Sequence, residues 1–321
     1  MNTLLEIKDY LFDHDNFMIM GHVDPDGDSI GSVFSLKWIL DSLNKNSIIV
    51  LDDNPGLSYD LLNYKQKDYI LCTNLNSTNN YESVIVLDSG ELSRIGERDK
   101  LINNKKILNL DHHIDNALFG DLNYLNADMA ATGEIIFELA AFLKVPVDEK
   151  IGYAIATAIL TDTGFMRYKN TSPHILNIIS ALMDIGVDIH KIYRALFASH
   201  SYKSMRLRGM ALNNLKLGKN GKFAYLYVDK EILEELDADE SISSGLVNYP
   251  RDIKGVEVGL SFVEKEDNII KVSLRSNEYC PVNEIASRFN GGGHERAAGC
   301  KVEGNMNKVI DRVITEVKKF V

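Results

Sequence analysis

Short apolar segments alternate with longer amphipathic ones through the first half of the chain. Four short segments are continuously apolar and end in polar residues or glycine, a pattern typical of strands buried on both faces. They are residues 17–21, 47–53, 83–90 and 105–113. Between the first two, residues 28–44 carry apolar side chains at helical spacing, and Asp28 or Ser29 can cap this helix. This alternation predicts a doubly wound, mainly parallel α/β sheet.

Helical patterns dominate the next part of the chain, at residues 129–144, 149–165 and 172–186. We assign residues 1–187 to one domain and interpret the helical, more charged residues 188–217 as a connector. Residues 218–321 add strand candidates, a short helix, a glycine turn at GGGH and a terminal helix; the strand candidates are residues 223–229, 256–265 and 269–276. They predict a smaller C-terminal α/β domain, with the active site in the cleft between the domains.

The composition excludes some classes of protein. Lys and Arg number 35 against 46 Asp and Glu, so the formal charge is -11. An acidic surface repels a long polyanion, which disfavours binding to long duplex nucleic acid but not to a small anionic substrate. The three cysteines lie far apart, which favours a reducing compartment without disulfides. With neither a secretory signal nor a membrane-spanning run in the sequence, we expect a cytoplasmic protein that does not bind membranes.

Potential metal ligands follow three of the four predicted strands of the first domain. An additional carboxylate ends the apolar stretch before residue 163. In chain order, these residues are His22, Asp26, Asp28, Asp88, Asp111, His112, His113 and Asp162. Since ligands of an open α/β sheet bind beyond the carboxyl ends of its strands, we expect these side chains to converge.

Carboxylate and imidazole donors without thiolates suit Mn²⁺ or Mg²⁺ better than a structural zinc ion. Two such cations about 3.5–4 Å apart can contact both the attacking and the leaving oxygen of a phosphoryl transfer. A cation pair needs a bridging carboxylate, and Asp88 lies centrally in the set. Each motif alone is also compatible with a helix cap or a polar turn. The prediction therefore depends on their joint occurrence at strand ends.

Five segments of the chain, in order, resemble the motifs of the DHH phosphoesterase family. GHVDPDGDSIGS, VLDSG, LDHH and ILTDTG resemble its four N-terminal motifs, and GGGHERAAG resembles the signature of the associated C-terminal domain. The resemblance covers residues from about 20 to about 300. In length and two-domain plan, the chain is similar to the group of oligoribonucleases that also act as pAp phosphatases, the nanoRNases.

This resemblance implies two bound Mn²⁺ ions, for which Mg²⁺ or Co²⁺ can substitute. The residues at the ligand positions form one set for each cation: His22, Asp26 and Asp88; and Asp28, Asp88, His112 and Asp162. The resemblance places His113 beside the scissile phosphate, and Asp111 behind the histidines as their hydrogen-bond partner.

Residues of the C-terminal domain are expected to bind a second phosphate of the substrate. A glycine backbone can approach an anion closely and donate N–H groups to it, and an arginine offers a bidentate fork. The candidates are Arg275, Gly291, Gly292, Gly293, His294 and Arg296, with Arg94 as an additional candidate in the N-terminal domain.

The resemblance implies hydrolysis of RNA oligonucleotides of two to five nucleotides and removal of the 3′-phosphate of pAp. A stand-alone phosphodiesterase acting on cyclic di-AMP or pApA resembles the same motifs and stays open as an alternative. The glycine-rich end disfavours an inorganic pyrophosphatase. A nucleotide-binding sensor without turnover would be expected to lack ligands, and no ligand position is missing. A homodimer is compatible with the sequence, which does not determine the oligomeric state.

Overall fold

The computed structural model describes residues 1–75, 81–238, 240–266 and 268–321, without the side chains of residues 240, 241, 266 and 294. The chain divides into two compact units, Met1–Ser199 and His200–Val321. This division falls within residues 188–217, whose role as a connector stays a prediction. Among the helices described, none is both long and apolar enough to cross a membrane.

The first unit is built on one parallel sheet with helices packed against it. Its strands are β1 (Phe17–Met20), β2 (Ser47–Leu51), β3 (Tyr69–Leu71), β4 (Ser83–Leu87), β5 (Lys106–Asp111) and β6 (Leu122–Leu125). Its α-helices are α1 (Leu4–Asp13), α2 (Gly27–Ser42), α3 (Thr132–Leu143), α4 (Glu149–Asp162), α5 (Pro173–Asp184) and α6 (Ile189–Phe197).

The strand order of this sheet is β3-β2-β1-β4-β5-β6, with all neighbours parallel. Strands β2 and β3 are added to one side of β1. The chain then returns to the other side of β1, where β4, β5 and β6 follow in order. The order therefore reverses between β1 and β4, where ligands of open α/β sheets bind. The predicted doubly wound parallel sheet is confirmed.

Both faces of the sheet are buried, which explains the continuously apolar strands. Successive side chains of a strand point to opposite faces. Phe17 and Ile19 of β1 join the core formed with the α-helices. Met18 and Met20 pack on the other face with Ile95, which lies in a segment of 3-10 helix at Leu92–Leu101.

The sequence prediction missed the two edge strands, β3 and β6. Both are short, and the side chains of β6 are all half-buried. Strand β3 has only three residues, and β6 carries the polar residue Asn123 among its side chains. The continuous apolar pattern that identified the four inner strands is therefore absent from LNYL at 122–125.

Helix α2 begins earlier than predicted. The N-terminal cap is Asp26, whose Oδ1 accepts hydrogen bonds from the backbone N–H of Asp28 (3.0 Å) and of Ser29 (3.1 Å). The prediction that Asp28 or Ser29 caps this helix was therefore wrong. Both lie within its first turn and are buried, so the Asp28 carboxylate is available for tertiary contacts.

The second unit is a mixed sheet covered by short helices. Its strands are β7 (Lys216–Leu217), β8 (Phe223–Val228), β9 (Val258–Glu266), β10 (Ile269–Ser276), β11 (Gly292–His294) and β12 (Ala297–Glu303). Its helices are α7 (Tyr202–Asn213), α8 (Lys230–Glu235), α9 (Asn248–Arg251), α10 (Val282–Ser287) and α11 (Met306–Val317). The order is β11-β12-β10-β9-β8-β7, and only β8 and β9 pair in parallel. The predicted α/β character is confirmed.

The predicted glycine turn is instead mostly a strand. Gly292–His294 forms β11, which pairs with β12, a strand that the prediction missed. A Cβ atom at Gly291 would lie 2.3 Å from the carbonyl oxygen of Gly299, and one at Gly293 would lie 2.5 Å from that of Ala297. Glycine is required at both positions because the two strands approach too closely for a side chain.

Gly31 lets α2 pack directly on the backbone of α4, because a Cβ atom there would lie 2.4 Å from the carbonyl oxygen of Ala154. We expect Gly31→Ala to lower the free energy of unfolding by about 1–3 kcal/mol through overpacking. The matched control is Gly209→Ala in α7, where a Cβ atom meets open space and alanine favours the helix by about 0.5–1 kcal/mol. Urea unfolding followed by circular dichroism compares the two variants, and equal stabilities would contradict the close packing.

Candidate metal centre

Carboxylate and imidazole groups converge at the reversal of strand order between β1 and β4. His22 lies two residues beyond β1, Asp88 directly after β4 and His112 directly after β5. Asp28 lies in the first turn of α2, and Asp162 is the last residue of α4. Five separate elements therefore each contribute a donor to one region of the first unit.

The first group of donors contains His22, Asp26 and Asp88, with donor atoms within 4.8 Å of one another. Nε2 of His22 lies 3.7 Å from Oδ1 of Asp26 and 3.5 Å from Oδ2 of Asp88. Nδ1 of His22 lies 2.7 Å from the carbonyl oxygen of Val23. This hydrogen bond orients the ring so that Nε2 faces the carboxylates.

The second group contains Asp28, His112 and Asp162. Nε2 of His112 lies 3.3 Å from Oδ2 of Asp162, 3.6 Å from Oδ1 of Asp88 and 3.7 Å from Oδ2 of Asp28. Nδ1 of His112 lies 3.3 Å from the carbonyl oxygen of Met129. Asp88 thus presents one carboxylate oxygen to each group, as a bridging ligand does.

These residues fit a bound divalent cation. Nε2 of His112 is buried, and no described residue gives it a hydrogen bond although three carboxylates surround it. An unpaired buried polar atom costs about 1–3 kcal/mol, which a metal bond would offset. Burial also lowers the pKa of His112, which favours the neutral ring that a cation binds. The oxygen and imidazole donors, without thiolate, match Mn²⁺ or Mg²⁺.

The carboxylates of the centre repel one another. Burial and the neighbouring charge of Asp88 raise the pKa of Asp28 well above its usual value. Burial, followed by the charges of Asp26 and Asp88, raises the pKa of Asp162 to about 8. Burial lowers the pKa of His22, but its contacts with Asp26 and Asp88 outweigh this effect and raise the pKa to about 10. A divalent cation would reverse these shifts because it favours ionised carboxylates.

The start of α3 holds the Asp28 carboxylate. Oδ2 of Asp28 accepts a hydrogen bond from the N–H of Thr132 (2.7 Å), and Oδ1 accepts one from the N–H of Gly133 (2.9 Å). The first N–H groups of a helix favour an anion, which makes this a stable position for a carboxylate. Neither Thr132 nor Gly133 was among the predicted site residues, because backbone donors leave almost no signal in a sequence.

His113 is held from behind by Asp111. Nδ1 of His113 lies 2.7 Å from Oδ1 of Asp111, and Nδ2 of Asn116 donates to Oδ2 of Asp111 at 2.5 Å. Burial alone would raise the pKa of Asp111, but the contact with His113 lowers it. Asn116 was missed by the sequence analysis. The sequence holds one indication of this role, which is Asn109, a polar residue inside an apolar strand. Oδ1 of Asn109 accepts a hydrogen bond from Nδ2 of Asn116 (2.8 Å).

The backbone of Asp88 is in the left-handed region, with φ of 55°. A non-glycine residue in that region costs about 1–3 kcal/mol unless neighbouring contacts stabilise it. Here the N–H of Asp88 donates to the carbonyl oxygen of Leu110 (3.1 Å), and Oγ1 of Thr132 donates to Oδ1 of Asp88 (3.4 Å). This conformation ends β4 and turns the carboxylate toward both donor groups.

The candidates for a second phosphate site lie mainly in the second unit. Ala297 of β12 pairs with Arg275 of β10 on one side and with His294 of β11 on the other. The backbones of Arg275 and His294 therefore flank the same residue. The side chain of His294 lies outside the described part of the structure. The glycines at 291, 292 and 293 lie at the edge of this sheet.

All three candidate arginines have contacts within the protein. Nη1 of Arg275 donates to the carbonyl oxygen of Leu274 (3.0 Å). Nη1 of Arg296 donates to the carbonyl oxygen of Cys280 (3.0 Å), and Nη2 forms an ion pair with Glu295 (3.0 Å). The side chain of Arg94 is exposed, while its carbonyl oxygen accepts from the N–H of Val23 (2.8 Å). Their roles in substrate binding stay predictions.

We expect the wild-type protein to bind two Mn²⁺ ions per chain, and Asp88→Asn to bind at most one, because the variant loses the shared charge. Asparagine tolerates the left-handed backbone, so the fold should persist. Isothermal titration calorimetry with Mn²⁺ gives the stoichiometry. Asp128→Asn, at an exposed position near Met129, is the matched control. Unchanged stoichiometry in Asp88→Asn would contradict the bridging arrangement.

Comparison with known proteins identifies both units. The family model for the DHH family, N-terminal domain, matches residues 16–161, and the model for the DHHA1 domain matches residues 220–321. The bifunctional oligoribonuclease and PAP phosphatase NrnA of Thermus thermophilus is 31% identical over 304 residues, which cover 94% of this chain and 89% of that protein. The similarity thus extends through both units.

Solved structures share this architecture. An exopolyphosphatase-related protein from Bacteroides fragilis matches with a TM-score of 0.92 at 28% identity, covering 99% of this chain and 96% of its own. RecJ from Thermus thermophilus, solved in complex with Mn²⁺, matches with a TM-score of 0.52 at 12% identity, covering 99% of this chain and 54% of its own. The second match shows a shared fold alone. The chain is therefore a hydrolytic enzyme that belongs to the DHH phosphoesterase family and carries a C-terminal DHHA1 domain.

Proposed function

We propose that this enzyme hydrolyses short RNA oligonucleotides to mononucleotides and removes the 3′-phosphate of pAp, using two Mn²⁺ ions. The observation that carries the proposal is the position of Asp88, which presents one oxygen to each of two donor groups. The name of the Thermus thermophilus relative, an oligoribonuclease and PAP phosphatase, supports this choice of substrates. The carboxylate and imidazole donors, without thiolate, support the choice of metal.

Two residue sets would hold the two cations: His22, Asp26 and Asp88; and Asp28, Asp88, His112 and Asp162. When bound, the cations would polarise the phosphate and stabilise the charge that develops on its oxygens. The carbonyl groups of Val23 and Met129 keep Nε2 of His22 and of His112 turned toward the carboxylates. The start of α3 keeps the Asp28 carboxylate in place.

His113 is proposed to act on the substrate rather than on a cation. Nδ1 of this ring lies 2.7 Å from Oδ1 of Asp111, and in this proposal Nε2 donates to a phosphate oxygen or to the leaving ribose oxygen. Asn116 fixes the Asp111 carboxylate and thereby the tilt of the ring. In this proposal Asp111 and Asn116 position His113 and do not contact the substrate.

The second unit is proposed to bind a second phosphate of the substrate through Arg275 and the glycine-rich edge at 291–294. Such a contact favours substrates with two nearby phosphates, such as a dinucleotide or a nucleoside 3′,5′-bisphosphate. Cyclic di-AMP and its linear product pApA satisfy the same requirement. A cyclic-dinucleotide phosphodiesterase therefore stays the second candidate function.

Incubation with Mn²⁺ and pApA, pAp, cyclic di-AMP or pyrophosphate in parallel tests the function. We expect AMP from pApA and phosphate from pAp. The Asp88→Asn variant should lose at least about 10–100-fold in kcat on both substrates. That is the usual loss when a hydrogen-bond partner of a metal ligand is removed, and removal of the ligand itself should cost no less. Preference for cyclic di-AMP would select the second candidate. Wild-type turnover by Asp88→Asn would rule out the shared carboxylate as part of the mechanism.

Arg275→Ala tests the second phosphate site. We expect the variant to raise the KM for pApA by about tenfold or more, since a charge-assisted contact contributes about 1.5–3 kcal/mol. The KM for bis-p-nitrophenyl phosphate, which has a single phosphate, should rise much less. Steady-state kinetics on both substrates give the ratio. An equal rise on both would show that Arg275 does not bind a second phosphate.

A further inference from the structure

A cavity of about 540 Å³ lies next to the metal centre in the first unit, at the carboxyl ends of β1 and β2. One wall is the loop that follows β1, from His22 to Pro25, and the other is the segment that follows β2, from Asp52 to Tyr59. His22 therefore belongs both to the cavity and to the first donor group. The volume falls within the range of small-molecule pockets.

The charges of this cavity do not suit a phosphate group. Asp24 and Asp53 line it, and among the described residues neither carboxylate has an ion pair. Arg98 also lines the cavity but is buried, and its Nη1 and Nη2 donate to backbone carbonyl groups, those of Val50 and Gly21, both at 3.0 Å. The cavity is thus net negative, and it favours an uncharged group that donates hydrogen bonds.

Arg98 is also engaged at Nε, which lies 3.1 Å from the carbonyl oxygen of Ile95 and 3.2 Å from Oδ2 of Asp52. Together, the contacts of Arg98 with Gly21, Val50 and Asp52 join the end of β1 to the end of β2. They fix the floor of the cavity relative to Gly21, the residue before His22. A ligand in the cavity would therefore meet a surface held rigidly to the metal centre.

Asn54 and Tyr59 line the cavity and have groups that suit a planar ring. The hydroxyl of Tyr69 donates to Oδ1 of Asn54 at 2.7 Å, which leaves the Nδ2 group of Asn54 to act as a donor. The half-buried ring of Tyr59 lines the same cavity. Burial and, secondly, the charge of Asp26 raise the pKa of Tyr59 to about 12, so the hydroxyl stays neutral at physiological pH.

We propose that this cavity binds the nucleobase of the nucleotide whose phosphate lies at the metal centre, an inference that rests on the proposed function. Tyr59 stacks on the base, Asp53 accepts from an exocyclic amino group and Asn54 donates to a ring acceptor. Bases with an amino group are favoured over uracil. Uracil has two carbonyl groups flanking one N–H, so beside Asp24 and Asp53 at least one carbonyl oxygen would face a carboxylate.

Binding of products tests the inference without turnover. Isothermal titration calorimetry in Mn²⁺ compares 5′-AMP, 5′-UMP and ribose 5-phosphate, which share the phosphate and differ in the base. We expect AMP to bind about tenfold more tightly than UMP or ribose 5-phosphate, because stacking and amino-group contacts add to the phosphate contact. Tyr59→Ala should remove most of the difference between AMP and ribose 5-phosphate. Tyr59→Phe, which keeps the ring, should retain it.

The controls separate this inference from the proposed function. Tyr202→Ala changes an exposed tyrosine of α7 that does not line the cavity, and should bind all three ligands as the wild type does. Asp53→Ala should reduce the ratio between the Kd for UMP and the Kd for AMP. Equal binding of the three ligands by the wild type, or an equal loss of all three in Tyr59→Ala, would overturn the base site. Hydrolysis of pApA in the same preparations reports on the proposed function independently.

Discussion

The structure depends on carboxylates that lie close together in a largely buried site. Asp28 and Asp88 are buried, and Asp162 is only partly exposed, yet all three lie within 4 Å of one imidazole nitrogen, Nε2 of His112. Burial and the neighbouring carboxylate charges raise the pKa of Asp28 and of Asp162, so these two groups are stable as carboxylates only when a compensating charge is present. Much of the first unit follows from this requirement: the amide groups of α3 turn toward Asp28, and the imidazole rings are held by backbone carbonyls so that they face inward.

The topology of the sheet brings these charged side chains together. Reversal of the strand order between β1 and β4 opens a crevice, where the ends of β1, β4 and β5 meet the start of α2 and the end of α4. The helices must then approach one another closely behind the crevice. Gly31 on α2 and Gly133 on α3 both face Ala158 of α4, where a side chain would collide. Small residues in the helical layer thus accompany acidic residues at the strand ends.

The four inner strands and the polar residues that follow them could be predicted from the sequence, because they repeat a strong local pattern. Buried strands are continuously apolar, and a polar residue such as Asp88 directly after one is visible without a structure. Features that depend on tertiary contacts were not visible. The N–H groups of Thr132 and Gly133 carry no side-chain signature, and Asn116 gains its role only because the fold brings it to Asp111.

Strand β12 was missed because AAGCKVE is rich in small residues and packs between two strands through its backbone. The cap of α2 was misplaced because several carboxylates in the segment DPDGD compete for that position, and only the fold shows that Asp28 points away to α3.

The left-handed backbone of Asp88 limits the residue types that can occupy this position. Glycine would adopt the conformation without strain but would bring no charge. Asparagine would adopt it but would offer one oxygen and no charge. Glutamate would bring both oxygens on a longer stem, and a bulkier side chain tolerates this backbone region poorly. Aspartate alone meets the conformational and the electrostatic demands together. Homologous enzymes that keep this turn are therefore free to vary most of their surface, while a chain with any other residue at this position would be expected to have given up the chemistry.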